Sequence, residues 1–389
     1  MPIDRCPITG DPAGKSVFQL NGVPVLCNQL WPDAEAACGA PKADIDLVFC
    51  ESSGLLWNRA FDPQRMAYAP GYENALHFSP NFQAFADELA RELVTRHGLT
   101  GKAIVEIGCG DGFMLDLMVR NGVHQATGYD PSMAGIETPF TKRKGIRIVP
   151  EYFHAGQLES GFDAILCRHV LEHLDEPMAF LKELRSAIGK CSATLYLEVP
   201  NADWMLETVS MWDVIYEHVT YWTAPAMECA LRRSGFEPLS IRAGYGGQFL
   251  MAEARPSVAD PDWLPEELPH RSSVARHFGA AADSSLKEWN DRLSTLPGRA
   301  VIWGAGSKGI TFANALDSSA QDKLAALVDL NPRKHGKFIP GIGLPVVDSG
   351  QLQDLAPTLI LVSNPLYLGE ITRSVRDMGL NPEFRIIAD

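Results

Sequence analysis

Apolar positions along the chain fall into distinct registers. Short runs bounded by Gly, Pro and Asn (VFQL, VPVL, IDLVFC, GLLWN) mark residues 1–62 as a small, irregular, partly β module. Over residues 80–97 the period becomes helical. Phe82, Phe85, Ala86, Leu89 and Leu93 share one face, charged residues take the other, and Gly98 and Gly101 end the helix. From residue 102 strands and helices alternate. AIVEIG reads as a buried strand, GFMLDLMVRNG as a helix, QATGYD and FDAILC as strands, AFLKELRSAIG as a helix, TLYLEVP as a strand, and AMECALRRSGF as a helix closed by Gly235. This alternation predicts a doubly wound α/β sheet. Pro256, Pro261, Pro265 and Pro269 mark a linker, and a helix carrying Val274, Phe278, Leu286, Trp289 and Leu293 near one face follows it. The alternation restarts at AVIWGAG and runs through ITFANAL, LAALVDL, LILVSN, ITRSVRDMG and FRIIA, a second and smaller α/β domain. The expected divisions are residues 1–62, 63–255, 256–298 and 299–389.

Composition narrows the function classes. Apolar residues make up 46% and charged residues 21%, an ordinary globular balance. The net charge is -14 and the densest basic run, Lys142-Arg143-Lys144, is short. That argues against a nucleic-acid partner and for a small-molecule substrate. The start, MPIDRCPITG, has no basic segment leading into an apolar one, and no window is long enough to span a bilayer. A cytoplasmic protein without a membrane partner is expected, its eight cysteines held as thiols.

The chemistry-bearing motifs begin where AIVEIG runs into Gly108-Cys-Gly110-Asp-Gly112 and then a helix. Glycines at such a turn let backbone approach a ligand closely. Glu106 precedes the turn, Asp130 ends the next strand, and a third strand ends in Cys167-Arg168-His169. This set resembles the class I S-adenosylmethionine-dependent methyltransferases. The resemblance implies a Rossmann-like core in which Gly108, Gly110 and Gly112 face the methionine part and Asp130 holds the ribose, with Glu106, Arg168 and His169 beside them. A dinucleotide fingerprint is disfavoured here because position 113 is Phe where that pattern needs glycine. His169-Val-Leu-Glu-His173 also fits H-x-x-E-H of a class of zinc peptidases. Its start at a strand end, facing the cofactor crevice, argues for crevice lining and against a metal.

A second cluster is Tyr216-Glu217-His218, with Tyr221 close behind, and GYGGQFLMAEA lies downstream. These features resemble the sugar C-methyltransferases, and the resemblance extends over almost the whole chain. It implies His218 as base, Glu217 as alternative base or orienter, and Tyr216 as hydrogen-bond donor to an enolate oxygen, with Tyr221 as a substrate contact. It also implies that the segment holding Tyr68, Tyr72 and Ser79 closes over cofactor and substrate, Tyr72 with a catalytic part and Tyr68 touching substrate. Removing a proton beside a carbonyl needs a near-neutral base and a donor for the developing oxyanion, which His and Tyr supply. That family begins with paired Cys-x-x-Cys motifs holding structural zinc. Here the pairs read Cys6-Pro-Ile-Thr9 and Cys50-Glu-Ser-Ser53, so structural zinc is not expected.

Gly304-Ala-Gly306-Ser-Lys308-Gly309 is a full G-x-G-x-x-G with Asp329 about twenty residues on. On pattern alone it is a dinucleotide site. The resemblance instead makes the tail a Rossmann-like domain that builds the substrate crevice, with Lys308 and Asn364 as substrate contacts and Glu370 facing the same space. The expectation is C-methylation next to a carbonyl of a nucleotide-linked or phosphorylated small molecule. Methylation of oxygen or nitrogen is the nearest alternative, and an NAD-dependent oxidoreductase or a non-catalytic binding protein the alternatives of other classes.

Overall fold

The computed structural model describes residues 3–66, 75–154, 156, 161–189, 192–266 and 268–388. Tyr68 and Tyr72 lie outside them. Among the described residues, three sheets account for the strands. The N-terminal module contributes β1 (Ser16–Pro24), β2 (Lys42–Phe49) and β3 (Leu56–Asn58), paired antiparallel. VFQL and the first two residues of VPVL thus belong to one strand, with a register shift between Leu20 and Val23 that accommodates Gly22.

The central sheet holds β4 (Ala103–Ile107), β5 (Gln125–Tyr129), β6 (Ile146–Val149), β7 (Ala164–Arg168) and β8 (Thr194–Pro200), all parallel. Next in the chain, β9 (Thr220–Tyr221) leaves this sheet and pairs with β3, so the N-terminal sheet is closed by two residues from the far side of the core. A hairpin of β10 (Phe236–Gly244) and β11 (Phe249–Pro256) completes the central sheet, β11 lying antiparallel to β8. The order is β10-β11-β8-β7-β4-β5-β6. The chain winds outward in both directions from β4, so the turn after β4 stands at a switch point, where open α/β sheets bind ligands.

The C-terminal sheet, β12 (Ala300–Trp303), β13 (Leu324–Val328), β14 (Val346–Val347), β15 (Leu359–Val362) and β16 (Glu383–Ile386), is entirely parallel in the order β14-β13-β12-β15-β16. The same logic puts its switch point after β12, at Gly304.

The helix Pro269–Ser294 ties these parts together. Phe278 meets Phe18 edge-on at 5.4 Å, and Trp289 meets Phe312 at 5.4 Å. Trp212 packs on Phe312 at 4.8 Å and donates its indole N–H to the Ile387 carbonyl at 2.8 Å. One apolar cluster therefore runs from the N-terminal strands through residues 202–221 to the C-terminal domain. Val23, Val25, Leu47 and Phe49 belong to it, whereas Leu55 joins the core beside β8. Cys6, Thr9, Cys50 and Ser53 still converge: Cys6 Sγ lies 3.4 Å from Ser53 Oγ, and Thr9 Oγ1 lies 3.7 Å from Cys50 Sγ. Cys27 sits against Thr311 instead, 3.9 Å away. No helix among the described residues is long and apolar enough to cross a membrane.

Candidate active site

The turn after β4 takes Gly108, Gly110 and Gly112 through φ values of 70°, 51° and 89°, a region that side chains resist. A Cβ on Gly108 would lie 2.3 Å from Val170 Cγ2, whereas one on Gly110 would meet nothing within 4 Å. The turn is therefore packed behind and open in front. Asp130 braces it: one carboxylate oxygen accepts the Gly110 N–H at 2.8 Å, the other the Ser132 N–H at 2.9 Å and its hydroxyl at 2.6 Å. Glu106 is buried beneath, and its Oε2 has no hydrogen-bond partner. Burial raises its pKa to about 8; Arg168 opposes that rise, and the charges of Glu198, Asp130 and Asp111 add to it. An acid-rich turn with open space over one glycine and an unsatisfied buried carboxyl suits a positively charged nucleoside ligand.

At the end of β7, Arg168 pairs with Glu198 at 2.8 Å, and Tyr196 donates its hydroxyl to the other Glu198 oxygen at 2.7 Å. Burial alone would raise Glu198, but Arg168 and His169 overcome it and hold the pKa at about 2. His169 adopts φ 52°, a strained value for a side chain of its size. Its ring lies between Glu172 (Nδ1, 3.4 Å) and Glu198 (Nε2, 3.2 Å). Burial disfavours its charged form, yet the two carboxylates win and raise it to about 9. The carboxylates on either side thus favour the charged form of His169. Ser79 caps the helix Pro80–Arg96 and borders the same space.

A crevice of about 290 Å³ opens between the core and the C-terminal domain. His169, Glu172, His173 and His218 line one side, and Gly304, Gly306, Lys308, Asn364 and Glu370 the other. His173 and His218 stand edge to face with ring centroids 5.0 Å apart. His173 Nδ1 lies 2.9 Å from the Glu217 carbonyl, and His218 bonds the Asp213 backbone. Burial first, then the His173 charge, depresses His218 to about 3.

The Tyr-Glu-His run is split by the fold. His218 reaches the crevice, but Tyr216 is fully buried and accepts the Asp62 N–H on its hydroxyl at 2.9 Å. The Glu217 carboxylate accepts the Cys27 N–H at 2.6 Å, and the Tyr221 hydroxyl is tied to the Ile215 backbone, donating to its carbonyl at 2.8 Å. None of these three lines the crevice. Lys308 lines it with its charge already paired to Asp213 at 2.7 Å and seated over the Trp204 ring. Asn364 exchanges two amide hydrogen bonds with Gln248, each 3.0 Å, joining the β10–β11 turn to the C-terminal domain. His169 and His173 do not share a helix face: residues 171–173 form a single 3-10 turn. Sequence reasoning missed Glu198, Asp213 and Gln248. A glutamate inside the apolar run of β8 was the one signal available for the first.

Two family profiles match the chain. A methyltransferase domain matches residues 81–241, and a C-methyltransferase C-terminal domain matches residues 273–381. The chain therefore carries a class I methyltransferase domain followed by a C-methyltransferase C-terminal domain. Among curated proteins, the chain is 32% identical over 136 residues to a mitochondrial ubiquinone biosynthesis O-methyltransferase of Schizosaccharomyces pombe, covering 32% of this chain and 43% of that one. It is 27% identical over 217 residues to a tRNA U34 carboxymethyltransferase of Alteromonas mediterranea, covering 51% and 63%. The matches thus span less than two thirds of those relatives. Among solved structures, magnesium protoporphyrin IX methyltransferase of Synechocystis PCC 6803 with bound S-adenosylmethionine aligns at 17% identity and TM-score 0.34, covering 46% of this chain and 80% of that chain. The family cofactor is S-adenosylmethionine, a sulfonium cation carrying a ribose, and the acid-rich turn at Gly108–Gly112 fits it.

Proposed function

We propose that the protein transfers a methyl group from S-adenosylmethionine to a carbon next to a carbonyl, on a nucleotide-linked or otherwise phosphorylated small molecule of sugar type. One observation carries this reading: a single crevice is lined by His169, His173 and His218 of the core and by Gly304, Gly306 and Lys308 of the C-terminal domain. S-Adenosylmethionine, when bound, supplies an electrophilic methyl group. Gly108, Gly110, Gly112 and Asp130 are the residues assigned to hold it, with Glu106, Arg168, His169 and Ser79 around them.

A carbon becomes nucleophilic only when it loses a proton beside the carbonyl, and His218 is assigned to drive that loss. In support, its Nδ1 is buried, has no hydrogen-bond partner and so keeps a lone pair. The first-turn amides of the helix Ser307–Ala315, which lack partners within their own helix, would take the phosphate end, as such termini do. Asn364 would contact the acceptor beside them. Lys308, already paired, would shape this end more than charge it. Phe78, Ile215, Phe249 and Trp303 give the crevice apolar walls that exclude water from the reacting atoms.

The test is a screen of keto-sugar nucleotides with cofactor labelled in its methyl carbon, read by NMR of the product. A methyl on carbon is expected, and His218→Ala should lower kcat by about 10²–10⁴ with the affinity for S-adenosylhomocysteine unchanged. A methyl on oxygen or nitrogen would move the reading to its nearest alternative, and turnover of NAD without methylated product would end it.

A further inference from the structure

We propose that Glu172, His173 and His218 bind a divalent transition-metal ion at the acceptor end of the crevice. The three side chains each offer a ligand atom, and those atoms lie within 4.8 Å of one another. A small closure brings such a set onto one ion, and two imidazoles with a carboxylate match zinc, manganese, cobalt or iron(II).

The hydrogen bonds around the cluster point the same way. A carbonyl can only accept, so His173 must carry its proton on Nδ1, which faces the Glu217 oxygen at 2.9 Å. In that tautomer the lone pair lies on Nε2. His218 bonds the Asp213 backbone while its Nδ1 has no hydrogen-bond partner, so Nδ1 keeps a lone pair. Metal-binding histidines are commonly fixed in this way, one nitrogen on a backbone carbonyl and the other on the ion. Glu172 is 2% exposed, and neither carboxylate oxygen has a hydrogen-bond partner. One of them, Oε1, faces His169 Nδ1 at 3.4 Å. His169 answers one of its oxygens only, and a buried carboxylate gains from a second cation beside the other.

The partner of His173 is His218, 45 positions along the chain, and not His169, which is held between Glu172 and Glu198. No sequence spacing announces that pairing. Three protein ligands leave coordination positions free, and all three residues line the crevice.

The inference rests on the reading of this crevice as the acceptor site and deepens it: His218 drives proton loss as a ligand. A water on the ion first loses a proton to solvent. The resulting hydroxide takes the proton from the acceptor carbon and becomes water again. The C–H electron pair passes into an enolate whose oxygen sits on the ion, and that enolate's carbon is the nucleophile.

The experiment is titration of chelator-stripped, full-length protein with Co²⁺, read by visible absorption, alongside calorimetry with Zn²⁺ and Mn²⁺. A Cys6→Ser/Cys50→Ser variant removes the thiols of the N-terminal cluster. One ion per chain is expected in that variant as in the parent, without a thiolate charge-transfer band. Glu172→Gln, His173→Ala and His218→Ala should each weaken it by about 10–100-fold. S-Adenosylhomocysteine affinity, measured on each variant, reports that it is folded. Absence of metal binding in protein that binds S-adenosylhomocysteine and methylates carbon would overturn the inference and leave the methyltransferase reading standing. Binding that disappears with the cysteines alone would also overturn it. Failure to bind S-adenosylhomocysteine would strike the reading beneath it.

Discussion

Gly108 concentrates two demands in one position. Its φ of 70° disfavours any side chain, and the Val170 methyl would lie 2.3 Å from a Cβ. Gly108→Ala should cost about 1–3 kcal/mol of stability and weaken S-adenosylhomocysteine more than about tenfold, by calorimetry. Unchanged binding would mean that the turn does not carry the ligand. Glu106 makes a pH prediction. Its pKa in the folded protein is about 8, above its ordinary value, so the folded state holds a proton that the unfolded chain releases. Stability is therefore present below the unfolded value and declines as pH rises toward 8, by up to about 1.4 kcal/mol per pH unit. Glu106→Gln should flatten that decline in urea titrations from pH 5 to 9. Tyr216 shows how one atom reassigns a residue. Its hydroxyl is occupied by the Asp62 N–H, so Tyr216→Phe should cost about 1 kcal/mol of stability and leave kcat within about twofold. A loss of kcat as large as that of His218→Ala would return Tyr216 to the catalytic role inferred from its motif.

Elements were legible in the sequence wherever burial was continuous. TLYLEVP is β8, and the helix with Phe278, Trp289 and Leu293 on one face runs Pro269–Ser294. IRIV escaped notice because β6 is a four-residue edge strand whose side chains are all at least partly exposed. β9 escaped because two residues have no periodicity, although they close the N-terminal sheet. The glycine turns were legible because both their spacing and their strand–turn–helix context are local. The histidine cluster was not, since His173 and His218 meet only through the loop that β9 anchors. The Gln248–Asn364 amide pair, likewise, joins positions 116 apart. Asn364→Ala removes that clamp between the β10–β11 turn and the C-terminal domain. It should raise KM for the acceptor about fivefold, as loss of about 1 kcal/mol does, with KM for S-adenosylmethionine unaltered. Equal rises in both would show that the clamp holds the whole crevice and not its acceptor end.

The molecule as a whole carries two switch-point turns, of which the C-terminal one lines the crevice, in parts joined by a long helix and a shared apolar cluster. Its acidic charge, -14 overall, favours a cationic cofactor and sets a phosphate-bearing acceptor against the general field, so local donors must hold that acceptor. The most direct test of the methyl-transfer reading is calorimetric titration with S-adenosylhomocysteine and, separately, NAD, on the parent protein and on Asp130→Ala. Micromolar binding of S-adenosylhomocysteine, weakened at least about tenfold by Asp130→Ala as loss of charge-assisted hydrogen bonds requires, is the predicted result. Binding of NAD alone, indifferent to Asp130→Ala, would contradict it and move the chemistry to the turn at Gly304–Gly309.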